Sequence, residues 1–250
     1  MRPLIGIVAR AEYPGGTKHL SLNEAYRIKL NSHGADAFMI LPSQPIDYST
    51  VRFGEQGRLT EEEKKSIIRQ IDMCDGVLLP GGFKTNNFDR FIAEYLIEND
   101  IPTLGICLGM QILANYKVPI IINDINESTI NHKVDEGYAH EVTLDPNSKL
   151  FSIVGGERFS VNSRHNYHIR SSNLFDEVAH ADDGIIEAIE MKDRKFMIGV
   201  QWHPENLEDE YANRLVDAFV GACKEYRDAK YISSSWDSDK GKAKIRNIWW

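Results

Sequence analysis

The hydrophobic pattern along the chain alternates between two periods. Residues 4–9 form a short apolar run rich in β-branched side chains, which predicts a buried strand. Residues 21–33 space Ala25, Ile28 and Leu30 among polar positions and end at Gly34, which predicts a helix with a glycine stop. Residues 35–41 predict the next strand. Thr60, followed by Glu61, Glu62 and Glu63, opens a helix reaching about residue 73. The Thr60 hydroxyl can cap the first turn while Glu63 reaches back, and acidic residues suit the positive helix end. Residues 76–80 predict a strand that runs into Pro80-Gly81-Gly82. Residues 88–99 predict a helix, with Phe91, Ile92, Tyr95 and Leu96 at a period near 3.6. A strand over 101–106 and a helix from Cys107 to about Tyr116 follow. Strand alternating with helix is the signature of a parallel sheet covered on both faces.

Beyond Tyr116 the pattern changes. Strand-like runs at 118–122, 141–144, 158–161, 184–190 and 195–202 have little helix between them, and some are expected to pair antiparallel. A closing amphipathic helix is expected over 208–227, with Leu215, Val216, Phe219 and Val220 on its apolar side. No repeat or low-complexity linker interrupts the chain, so the change near residue 120 is one of sheet style. The expectation is one α/β domain over 1–229, followed by a tail of unknown role over 230–250. That tail sets five basic residues against two acidic ones and holds Trp236, Trp249 and Trp250. It is either an irregular terminus or a segment that docks its aromatics on the domain or on a partner chain.

Composition narrows the class. With 42% hydrophobic and 26% charged residues the chain has the make-up of a soluble globular protein and not of a disordered one. The longest apolar stretch, 118–122, is far too short for a spanning helix, so no membrane partner is expected. A net charge of −8, from 29 basic and 37 acidic residues, argues against nucleic acid. Three cysteines, Cys74, Cys107 and Cys223, make no disulfide framework. The first nine residues lack the length and small-residue cleavage site of a signal peptide, so the expected compartment is a reducing cytoplasm.

One cysteine stands apart. Cys74 and Cys223 read as small buried hydrophobes. Cys107 follows a strand, precedes a helix and has glycine two residues to either side, in Gly105-Ile106-Cys107-Leu108-Gly109-Met110-Gln111. That is the arrangement of a nucleophile elbow, with Cys in place of Ser. Such a turn is tight, so nearby backbone must lack a Cβ, and the helix end beneath the sulfur favours thiolate. A base is available in Gln201-Trp202-His203-Pro204-Glu205: His203 ends a strand, and Glu205 can orient its ring. An oxyanion hole can be built from the N–H of Leu108, right after the nucleophile, and that of Gly82 in the Pro80-Gly81-Gly82 loop. His165 and His168 could suggest a metal, but no third or fourth ligand is spaced to match, so no metal is expected. His140 reads as structural.

Together these segments resemble the class I glutamine amidotransferase-like superfamily, through the Gly-x-Cys-x-Gly-x-Gln elbow, the Pro-Gly-Gly loop and the His-x-Glu pair. The likeness runs from about residue 3 to 227. It implies a flavodoxin-like, mostly parallel sheet with helices on both faces and antiparallel strand additions. It also implies a Cys107–His203–Glu205 triad, and Gln111 helping to hold a glutamyl group. The chain is most similar to the stand-alone γ-glutamyl hydrolases of the peptidase C26 type, such as γ-glutamyl-γ-aminobutyrate hydrolase. That likeness rests on His140-Glu141-Val142, Val161-Asn162-Ser163-Arg164-His165, Asp183-Gly184-Ile185-Ile186-Glu187-Ala188 and the stretch 198–205. By that resemblance Gly81, Asn162, Ser163 and His165 are substrate-binding candidates. Leu108 departs from those hydrolases, which typically carry Arg there, and follows the ammonia-delivering amidotransferases. The segment between Met110 and His140 is also short.

The implied activity is cysteine-dependent cleavage of a small γ-glutamyl compound, or of glutamine, through a thioester, with no metal or organic cofactor. Two alternatives stay open. One is a glutaminase subunit that passes ammonia to a separate synthetase partner; the other is a catalytically silent binding or regulatory protein. The leaving amine is not identified by the sequence, and a homodimer is compatible with it.

Overall fold

Along the first strands the side chains divide between two hydrophobic clusters, and that division sets the layers. In β1 (Leu4–Val8), Ile5 and Ile7 join one hydrophobic cluster and Val8 the other. In β5 (Gly76–Leu79), Leu78 sides with the first cluster while Val77 and Leu79 side with the second. A pleated strand buried on both faces must divide its side chains this way. The computed structural model describes residues 1–12, 17–118, 122–125 and 128–246.

Among the described residues the main sheet has nine strands. From one edge these are β4 (Asp36–Ile40), β1, β5, β6 (Thr103–Ile106), β13 (Met197–Val200), β12 (Ile186–Glu190), β11 (Asp176–Ala181), β8 (His140–Leu144) and β9 (Arg158–Val161). The first five run parallel; each pairing from β13 outward to β9 is antiparallel. The α/β class with antiparallel additions therefore holds. Two short ribbons lie outside this sheet: β2 (Arg10–Glu12) with β3 (His19–Ser21), and β7 (Ile122–Asp124) with β10 (Tyr167–Ile169).

Six α-helices are described, besides short 3-10 turns at Phe53–Glu55 and Pro204–Asn206. One face of the sheet carries α1 (Glu24–Ser32), α5 (Lys149–Val154) and α6 (Glu210–Arg246), through Tyr26 and Leu30, Leu150 and Val154, and Val216 and Phe219. The other carries α2 (Glu61–Asp72), α3 (Asn87–Glu98) and α4 (Leu108–Ala114), through Ile67 and Ile71, Ile92 and Leu96, and Met110 and Leu113. The Thr60 capping box forms as the sequence suggests: Glu63 N–H donates to Thr60 Oγ1 at 3.3 Å and Thr60 N–H to Glu63 Oε2 at 2.7 Å.

Several elements differ from expectation. Of the strand expected over 118–122, Val118 lies outside any strand and Ile122 belongs to β7, while residues 119–121 lie outside the described set. The closing helix continues past residue 227 to Arg246. No proline interrupts that stretch, and Ala and Lys recur along it, which suits a helix. Lys230 donates to the Asp72 carbonyl at the end of α2, so the helix is anchored as it leaves the body. Trp249 and Trp250 lie outside the described residues. No described helix is long and apolar enough to cross a membrane.

The two bystander cysteines are packed as small hydrophobes. Cys223 Sγ lies where a Cβ on Gly76 would be, at 2.2 Å from it, so helix α6 closes directly on the backbone of β5. Burial pushes the Cys74 thiol up to about 12, with Asp75 adding to it, and also raises Cys223 well above the ordinary range.

The tightest approach joins sheet to helix at Gly109, where an added Cβ would lie 1.9 Å from the Leu79 carbonyl oxygen. Gly109→Ala is expected to cost about 3 kcal/mol or more, since backbone on both sides must move. Urea unfolding monitored by circular dichroism measures it; a loss under about 1 kcal/mol would show that the helix shifts freely.

Candidate active site

The carboxyl ends of β1, β5, β6 and β13 open on one edge of the sheet, where parallel α/β sheets take their ligands. A cleft of about 270 Å³ lies there, lined by Arg10, Gly81, Gly82, Cys107, Arg164 and His203 among others. Gly81 and Gly82 follow β5, Cys107 follows β6 and His203 follows β13, all in the parallel part of the sheet, while Arg164 reaches the cleft from the segment after β9.

Cys107 sits between β6 and α4 with φ 54 and ψ −106. An L-residue adopts positive φ only when its surroundings enforce it. Here the Cys107 N–H is held by the Val200 carbonyl at 2.8 Å, and an added Cβ on Gly105 would stand 2.8 Å from the Gly109 carbonyl carbon. Both glycines of the elbow are thus required by close approach of backbone. Cys107 is 8% exposed and lines the cleft.

His203 follows β13, the strand paired with β6. Its Nδ1 lies 2.7 Å from Glu205 Oε1. Burial alone would lower the imidazole, but the Glu205 carboxylate and then the neighbouring Cys107 override it and push it up to about 10. A Cβ added at Gly81 would lie 3.0 Å from His203 Cε1 and 3.6 Å from the Cys107 Cβ, so sulfur, ring and loop converge on one point. Among the described residues the N–H groups of Gly82 and Leu108 have no hydrogen-bond partner. Gly82 also packs on Leu108, since its added Cβ would meet Leu108 Cδ2 at 3.2 Å.

Two residues that the sequence did not single out set the Pro80-Gly81-Gly82 loop. Buried Arg10 donates through Nη2 to the Pro80 carbonyl at 2.7 Å and through Nε to the Gly81 carbonyl at 3.1 Å, and pairs with Asp89. Those carbonyls are held on the arginine side. Tyr26 accepts a hydrogen bond from the Gly81 N–H at 2.9 Å, and burial, then Glu205, raise its phenol well above the usual range. Nothing in the local pattern marks Tyr26; Arg10 is at least unusual as a buried charge directly after an apolar strand.

Four substrate-binding expectations change. Gln111 does not line the cleft: its amide Nε2 donates to the Tyr167 carbonyl at 2.9 Å and to Gln201 Oε1 at 3.1 Å. Asn162 clamps the His203 backbone, accepting from its N–H at 2.8 Å and donating to its carbonyl at 2.9 Å. Ser163 donates to the His132 carbonyl at 2.9 Å. His165 turns away into a buried group with His132, His140 and Glu187, which supplies the neighbours that spacing along the sequence had not revealed. Gly81 does line the cleft, and Arg164, between these inward residues, lines it as well.

A family model described as Peptidase C26 matches residues 85–205, a span holding Cys107, His203 and Glu205. A CTP synthase from Chlamydia abortus is 27% identical over 179 residues, which cover 59% of this chain but only 33% of the synthase. A glutamine amidotransferase-like protein from Rickettsia prowazekii is 27% identical over 229 residues, covering 65% of this chain and 82% of that one. Among solved structures, the glutaminase domain of Trypanosoma brucei CTPS with bound acivicin aligns at a TM-score of 0.62 with 17% identity, over 89% of this chain and 94% of that one. At that identity the likeness is one of fold.

The raised His203 has a signed consequence. Its folded pKa lies above the unfolded value of about 6.5, so its stabilising contribution is complete below that pH and is lost as pH rises toward 10. Glu205→Gln removes the largest raising influence. The ring titration followed by NMR should therefore move down in Glu205→Gln, and an unmoved titration would refute the coupling.

Proposed function

We propose that this chain, which belongs to the class I glutamine amidotransferase-like superfamily, is a cysteine-dependent hydrolase that cleaves the γ-glutamyl amide bond of a small γ-glutamyl compound through a thioester. One observation carries the reading. Cys107, the His203–Glu205 pair and Gly82, whose N–H is unpartnered, line a single small cleft, and the unpartnered N–H of Leu108 follows Cys107 directly. A thiol, a proton carrier and preorganised donors are the parts that acyl transfer needs.

In this reading the Cys107 sulfur attacks the γ-carbonyl carbon. The oxyanion develops toward the Gly82 and Leu108 N–H groups, whose positions are fixed before the substrate arrives. The C–N bond breaks as the His203 imidazolium gives its proton to the departing amine, leaving an S-acyl enzyme. Neutral His203 then takes a proton from water as that water adds to the thioester. The C–S bond breaks, and thiolate and imidazolium are restored. Glu205 keeps the ring oriented through Nδ1, and Asn162 fixes its backbone. Arg164 is the cationic group at the rim suited to the glutamyl α-carboxylate. A volume near 270 Å³ suits the glutamyl head and leaves the amine portion toward the mouth.

A glutaminase delivering ammonia to a synthetase is the second reading. It is favoured by Leu108 directly after Cys107 and by similarity to CTP synthases, of which the chain spans about a third in the Chlamydia abortus case.

Cys107→Ala should lower turnover at least about 1000-fold while leaving the circular dichroism spectrum unchanged. A mass-spectrometric screen of γ-glutamyl compounds and glutamine against wild type and this variant decides the reading. Cleavage that survives in Cys107→Ala would overturn it, and cleavage of glutamine only with an added synthetase would select the second reading. Arg164→Ala should raise KM about tenfold with kcat nearly kept, as expected for lost substrate binding; an unchanged KM would remove Arg164 from the site.

A further inference from the structure

A second cluster of reactive side chains lies outside the cleft. His132 comes from the segment before β8, His140 opens β8, His165 lies between β9 and β10, and Glu187 is in β12. The facing atoms are His132 Nδ1, His140 Nε2, His165 Nε2 and Glu187 Oε1. They are separated by 3.1 Å (His132–His165), 3.3 Å (His132–Glu187), 3.4 Å (His165–Glu187) and 3.6 Å (His140–Glu187), and all lie within 4.8 Å of one another. The four side chains are between 0% and 3% exposed.

The outer ring nitrogens explain why this grouping is unusual. His132 Nε2 faces Asp183 Oδ2 at 3.1 Å, His140 Nδ1 faces the Glu141 carbonyl at 3.1 Å, and His165 Nδ1 faces the Tyr167 carbonyl at 3.1 Å. Each of those partners is an acceptor, so each outer nitrogen carries the proton. The three inner nitrogens are then lone pairs, and a carboxylate oxygen joins them. Neither Glu187 oxygen, nor His140 Nε2, makes a hydrogen bond among the described residues. Four buried electron-pair donors facing one another need a cation between them.

We propose that His132, His140, His165 and Glu187 form a structural zinc site. Metal–ligand distances of about 2.0–2.1 Å in a tetrahedron put ligand atoms about 3.3 Å apart; four of the six spacings already lie at 3.1–3.6 Å, and the widest, within 4.8 Å, closes by a small movement of the His140 ring. Three imidazoles and one carboxylate suit Zn²⁺, and four protein ligands leave no open position for catalysis. The carboxylate behind His132 and the carbonyls behind the other two rings are the outer partners that metal-bound histidines take. Glu187 and Asp183 together balance a dication. The ion would join four separate segments, including the one whose Asn162 holds the His203 backbone. This inference does not depend on the reaction assigned to Cys107.

The full chain, prepared without a metal-affinity step, should hold about one zinc per molecule by elemental analysis after gel filtration. Chelation should lower Tm, and Zn²⁺ should restore it. The metal-free chain should take up one Co²⁺ with the intense visible absorption of four-coordinate cobalt. Glu187→Gln and His140→Gln should each lose that absorption, while His168→Gln, a neighbouring histidine outside the cluster, should retain it. Wild-type protein that binds no zinc, gives no such cobalt spectrum and melts unchanged with chelator would overturn the proposal. It would mean that a shared proton closes the cluster. The wild-type measurements alone decide this, even if a variant fails to fold.

Discussion

The backbone at Cys107 is the constraint on which the rest of the site depends. A non-glycine residue held at φ 54 costs about 1–3 kcal/mol, and it persists only where neighbours over-determine it. Here they do. The Val200 carbonyl holds the Cys107 N–H, Gly105 lets the first turn of α4 fall against β6, and Gly109 lets that turn rest on the end of β5. A methyl group at either glycine would push the elbow outward. The strained turn thus places the sulfur at the cleft and leaves the first N–H of α4, that of Leu108, without a backbone partner.

Around this fixed point the polar groups act in pairs. Arg10 gathers the carbonyls of the Pro80–Gly81 segment and Tyr26 takes up the Gly81 N–H, which leaves the Gly82 N–H without a competitor. Glu205 and Asn162 do the same for His203, one gripping the ring and the other the main chain. Such buried polar contacts are costly if left incomplete, so they hold their members in single positions. The stiffness suits a catalyst whose donors must be in place before charge develops.

Much of this was legible in the sequence because it is local. The elbow, the His203–Glu205 pair and the Thr60 cap are defined by spacing within a few residues. The long apolar runs of β1 and β5 also announced themselves. What escaped was set by distant partners. Strand β11 reads Asp-Glu-Val-Ala-His-Ala and has little apolar alternation, yet it lies inside the sheet between β12 and β8. Helix α5 is a single short stretch whose only local signals are Ser148 at its start and Gly155 at φ 75 after its end, too few to distinguish it from a turn in the sequence. Gln111, Asn162 and Ser163 are the residue types that bind ligands. Their hydrogen bonds run instead to Tyr167, His203 and His132, far along the chain. The histidine group was invisible for the same reason, since its members come from four segments.

The pairing of β6 with β13 has a bearing on how the protein is made. The strand bearing the thiol leaves the ribosome about a hundred residues before the strand bearing the imidazole, and all the antiparallel additions lie between them in the chain. A nascent chain therefore carries Cys107 through about a hundred residues of further synthesis before His203 is made. The sulfur meets its partner only when the last strand inserts between β6 and β12 at the middle of the sheet. Completion of the sheet and the meeting of thiol and imidazole are one event.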